Sequence, residues 1–147
     1  MALRATTRAM MLIGMVMAVT GCGGMMHPKS GEMLEQAKGS DGIETQMNLI
    51  KMAEGSIAAA RGKAQPDAEL DTLHNQLYAL KKAGCQVTEA QAKTVSYAKV
   101  QTLRREVKTV FHRLWKTRED QAVREIHLDL LSKRLGELRE ALQAAKT

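Results

Sequence analysis

Residues 89–145 read EAQAKTVSYAKVQTLRREVKTVFHRLWKTREDQAVREIHLDLLSKRLGELREALQAA, with no Gly or Pro before Gly136. Val100, Leu103, Val107, Val110 and Leu114 recur at helical spacing. Leu128, Leu131, Leu135, Leu138 and Leu142 continue in the same heptad phase. Both seams predict helix. The lack of a breaker favours one continuous helix, roughly 85 Å long at the usual rise of about 1.5 Å per residue. Between the seams, however, the phase passes through Thr117, Gln121 and Arg124, while the apolar side moves to Trp115, Ala122 and Ile126. A bend or turn at 116–120 is the alternative.

Working towards the N-terminus, three shorter helices are predicted. Pro66 suits a first helical position, and Asp67, Glu69 and Asp71 suit a first turn. Leu70, Leu73, Leu77 and Leu80 give that helix its seam, Lys81 and Lys82 complement its end, and Gly84 is placed for a left-handed cap. Asp41 with Glu44 resembles a capping box, opening a helix with Ile43, Met47, Ile50 and Ile57 on one side, through about Lys63. Ser30 caps a short helix over 31–38. Thr88 and Gln91 form another capping box, which opens the long helix.

With 147 residues there is room for one domain. Aromatics are 3% and Pro 2 residues, which disfavours sandwiches and barrels. The expected fold is all-α: a helical hairpin or a three- to four-helix bundle with a long C-terminal helix, able to form a coiled coil. The early helices cover only the first part of a long straight helix. The second leucine seam must then pair with another chain or fold back, because so large an apolar stripe does not stay wet. Leu128, Leu131, Leu135, Leu138 and Leu142 are therefore candidates for an interaction seam, including self-association.

The N-terminus is an address. Arg4 and Arg8 precede an uncharged apolar run, AMMLIGMVMAV at 9–19, about half the length that spans a bilayer. Val19-Thr20-Gly21-Cys22 follows. These residues resemble the lipobox of a bacterial lipoprotein precursor. The resemblance covers residues 1–22 and implies a diacylglyceryl thioether on Cys22, cleavage before it and acylation, palmitate included, of its new amine. It also implies a membrane-anchored chain in the cell envelope. Gly23, where Asp would signal retention, points to the outer membrane, facing the periplasm. The expected organisation is signal peptide 1–21, flexible tether 22–31 and helical domain 32–147. No other cofactor than this covalent lipid is expected.

Charge is uneven along the chain. Residues 91–118 hold eight basic side chains against Glu106 alone, within a formal total of +6. Arg104, Arg105, Lys108, Arg113 and Lys116 are candidates for docking an anionic surface; a solvated helix face is the plain alternative. Nucleic acid is not an expected partner, since an exported chain rarely meets it. Phe111 and Trp115, at i and i+4, read as the aromatic edge of a core before a recognition patch. His27, His74, His112 and His127 show no ligand spacing, and no metal is expected. Cys85, following Gly84, reads as a thiol tucked under the turn, or as half of an intermolecular disulfide. With no G-x-S-x-G and no phosphate-binding glycine loop, no catalytic residues are assigned and the chain reads as a non-enzyme.

Val87-Thr88-Glu89-Ala90-Gln91 is similar to the LTxxQ motif of Spy/CpxP-type periplasmic chaperones, differing at the first position and occurring once. In size and class the chain also resembles the pilotins. The expectation is thus a non-enzymatic interaction or scaffold lipoprotein binding an envelope protein or itself, with a Spy/CpxP-like chaperone, a pilotin-like role or a membrane spacer as alternatives.

Overall fold

The computed structural model describes residues 28–146, which form an all-α bundle. The lipobox residues Val19, Thr20, Gly21 and Cys22, together with His27, lie outside the described residues. The helices are α1 (Pro28–Ala37), α2 (Gly42–Ala60), α3 (Asp67–Ala83), α4 (Glu89–Ala92), α5 (Val95–Lys116) and α6 (Gln121–Ala145), with a 3-10 turn at Gly84–Gln86 between α3 and α4. α1 begins at Pro28, inside the stretch expected as tether, and its Ser30 is buried within the helix rather than capping it.

Local chemistry sets most boundaries. The Asp41 carboxylate accepts from the Glu44 backbone N–H at 2.8 Å and starts α2. Glu44 reaches back to the Ser40 N–H at 3.1 Å, one residue earlier than in a standard capping box. These bonds hold the Asp41 carboxyl below its ordinary range through the Glu44 N–H, and that of Glu44 through Ser40. α2 ends at Ala60, and Gly62, at φ 70°, takes the left-handed conformation that turns the chain into α3. Pro66 stands just before α3 rather than within it.

The long helix is two helices. α5 stops at Lys116 and α6 starts at Gln121, so α6 folds back along α5. Thr117 Oγ1 donates to the Arg113 carbonyl at 2.8 Å, and the Asp120 side chain accepts from the Val123 N–H at 3.1 Å as the α6 N-cap. A Thr that bonds its own preceding turn, followed by an N-cap Asp, ends and restarts a helix without Gly or Pro. Leu128, Leu131, Leu135, Leu138 and Leu142 are each 0% exposed. They belong to this chain's own core and are not a surface for another chain, which corrects the interaction-seam expectation. The opening of the long helix also differs. The Thr88–Gln91 capping box forms, but it closes only the four-residue α4, and Thr94 caps α5 afresh.

One apolar cluster runs through the molecule. α2 contributes Ile43, Leu49, Ile50 and Ile57, α3 Leu70, Leu73 and Leu80, and α5 its Val/Leu seam with Phe111. α2 packs on α3 and α6, α6 on α5, and α1 on α3 and α2. At one end Arg124 is buried with no carboxylate partner. Its guanidinium donates to the Arg118 carbonyl at 2.5 Å and to the Lys63 carbonyl, tying the α5–α6 turn to the α2–α3 loop. Among the described residues no helix is long and apolar enough to cross a membrane.

Candidate functional site: a groove with a basic rim

The ring of packed helices has one loose seam. α3 and α5 meet only lightly, and a groove of about 450 Å³ lies between them. Its apolar lining comes from Leu77 and Leu80 of α3 and from Val107 and Phe111 of α5. Lys81, Arg104, Arg105 and Lys108 stand at its edges, with His74, Tyr78, Gln101 and His112 completing the lining. No carboxylate is among these residues.

Helical spacing explains the arrangement. On α5 the Val100–Leu114 seam turns inward, which places Gln101, Arg105, Lys108 and His112 along the adjoining exposed stripe. On α3 His74, Tyr78 and Lys81 follow one another at i, i+4 and i+7 beside the leucine seam. Aromatic contacts stiffen the α3 wall. The His74 ring stacks on Phe111 with centroids 5.2 Å apart and meets Tyr78 edge-on at 5.8 Å. Lys81 Nζ lies over the Tyr78 ring, 5.9 Å from its centroid.

Arg104 has a different job from its neighbours. Its guanidinium donates to the Lys81 carbonyl at 3.0 Å and closes the C-terminal end of α3, a favourable place for a cation. It lies flat against Gly84, where a Cβ would sit 2.2 Å from Nη1. Gly84 is right-handed at φ −62°, not the left-handed cap expected. A side chain here would have to displace the Arg104 guanidinium from its place beside the turn. Burial draws the Arg104 guanidinium below its ordinary value, partly countered by Tyr97. The Tyr97 hydroxyl donates to the Gly84 carbonyl at 3.1 Å, so α5 grips this turn at two points.

Of the five basic candidates, the groove gathers Arg104, Arg105 and Lys108. Arg113 and Lys116 are exposed in the last turn of α5, beyond the groove. Phe111 is buried and Trp115 half-buried, the core-edge placement expected, with Arg118 over the Trp115 ring at 4.5 Å. On the α3 wall, sequence read Lys81 only as a charge at the helix end and His74 only as a histidine without ligand spacing, and it passed over Tyr78; the wall's only signal is the i, i+4, i+7 stripe. Cys85 is exposed on the 3-10 turn rather than tucked beneath it, and it is not a free thiol.

The lining offers positive charge, donors and apolar surface. The Val87–Gln91 stretch is accounted for by its capping bonds, Gln91 Nε2 reaching also to the Asp41 carboxylate at 3.2 Å. No protein family, no curated protein and no solved structure matches the chain.

Proposed function

We propose that this chain is a lipid-anchored, non-enzymatic interaction module of the bacterial cell envelope, held at a membrane through Cys22. The observation that carries the interaction reading is the α3/α5 groove, an apolar slot edged by cations with no carboxylate in its lining. A groove at a loose seam of a bundle, with Leu80, Val107 and Phe111 buried at its base and Leu77 half-buried nearer its mouth, is where a domain can meet a partner. The lipobox Val19-Thr20-Gly21-Cys22 supports the address, and Gly23 the outer membrane.

Two measurements test the reading. Cys22→Ser should leave uncleaved precursor and abolish labelling by a fatty-acid probe; normal maturation of that variant would sink the lipoprotein assignment. The Cys22 sulfur can carry a lipid or a disulfide but not both. Intact mass of the membrane-extracted chain, without reductant, therefore reads the same question independently. Pull-down from membranes with the tagged chain should recover a defined protein. Suppressed aggregation of unrelated proteins would favour the chaperone alternative instead.

A further inference from the structure

We infer that the α3/α5 groove is a docking slot for an acidic amphipathic helix of a partner protein, an inference that rests on the interaction-module reading above. Three observations converge on that occupant.

The first is the shape of the seam. α2 packs closely on α3 and α6, and α6 on α5, whereas neighbouring α3 and α5 meet only lightly and leave between them a groove with Leu80, Val107 and Phe111 at its base. A helix laid in such a groove presents side chains at i, i+3, i+4 and i+7, which the walls can accept.

The second is unspent charge. Some arginines elsewhere find acids, Arg61 with Asp129, Arg118 with Asp67, Arg134 with Glu106 and Arg139 with Glu54, while other exposed cations such as Arg113 and Lys116 make no ion pair among the described residues. Lys81, Arg105 and Lys108 also make no ion pair among the described residues, and what sets them apart is that they gather along the edges of a single groove. Cations left unneutralised beside apolar surface complement an anionic, amphipathic partner.

The third is the distribution of that charge. Arg105, Lys108 and His112 follow the groove at i, i+3 and i+7, spreading over about 10 Å of helix, and Lys81 faces them from α3. A lipid headgroup is a point of charge at one end of an apolar chain. A row of cations along the slot matches carboxylates repeated along a helix flanking its apolar stripe. The chain's own N-terminal 27 residues do not fit, because they contain no Asp or Glu.

The test uses the full-length chain in detergent and a fluorescent peptide helix with Leu at i, i+4 and i+7 flanked by Glu. A control peptide carries Gln for every Glu. The acidic peptide should bind, and the Gln control should bind at least tenfold more weakly. Arg105→Glu with Lys108→Glu, both exposed, should weaken binding tenfold or more with the helical signal unchanged, and added salt should mimic the change. Arg113→Glu with Lys116→Glu, outside the groove, should stay within twofold. Equal losses from both pairs, or no loss from the first, overturn the proposal. So does failure of the peptide to bind while phosphatidylglycerol added to the detergent micelles, but not phosphatidylcholine, raises the melting temperature of wild type and not that of the Arg105→Glu, Lys108→Glu variant. If the peptide fails yet membrane pull-down still recovers a defined protein, the slot assignment falls and the module reading stands. If the pull-down recovers none, it is the module reading that falls.

Discussion

Shortening Leu131 and Leu138 to Ala probes the fold-back of α6 most directly. Both side chains are 0% exposed. A fully buried Leu→Ala change costs about 2.7–5 kcal/mol, the spread reflecting how far the cavity collapses. The two sites lie two turns apart, about 10 Å along the helix, so their effects should nearly add. The pair should cost about 5–10 kcal/mol against a typical total of about 5–15 kcal/mol for a domain. The assay is urea unfolding followed by circular dichroism, with sedimentation on the same samples. Wild type should already sediment as a monomer in detergent-free, acyl-free form. The single Leu138→Ala should lower the unfolding midpoint, and the double variant should lose most of its cooperative transition. An unchanged midpoint together with a fall from oligomer to monomer would refute the reasoning, because the seam would then be buried between chains.

Gly55 and Gly136 sit inside α2 and α6 with open space where a Cβ would go, so Gly55→Ala and Gly136→Ala should each stabilise by about 0.5–1 kcal/mol, read as a raised melting temperature. Arg124→Ala should destabilise by about 2–4 kcal/mol, since it opens a cavity and strips donors from the Lys63 and Arg118 carbonyls; Arg124→Lys should rescue poorly, because an ammonium lacks the planar fork. Asp41 has its folded pKa depressed below 3.8, so its contribution is present above the unfolded value and lost as pH falls through the folded one. Asp41→Asn keeps a cap without the titration. The stability gap between wild type and that variant should therefore shrink as pH is lowered from about 5 to 2, and a gap independent of pH would contradict this.

The two leucine and valine seams, the Asp41 cap and the Thr88–Gln91 box were legible because each depends on neighbours within a turn of the chain. The break after Lys116 was half legible. Thr117, Gln121 and Arg124 on an otherwise apolar seam, with Asp120 placed for capping, outweigh the lack of Gly or Pro. Their meaning becomes clear only when Arg124 is seen holding the Lys63 carbonyl, 61 residues away. Gly84 was noticed for the wrong reason: it is right-handed, and the group lying beside it is the Arg104 guanidinium from another helix. The groove was legible on its α5 side, where charge accumulates. Its α3 side was not, because His74, Tyr78 and Lys81 look like an ordinary polar face until α5 is placed opposite.

The early start of α1 sets the length of a leash. From Cys22 to Pro28 there are six residue steps, which reach at most about 21 Å when fully extended. With Cys22 lipidated, the helical body would therefore ride on the bilayer surface and sample a thin layer of the envelope, at high local concentration towards other surface-bound molecules. So short a leash suits a partner embedded in or resting on the same membrane, and leaves little room for a role as a spacer to a distant wall.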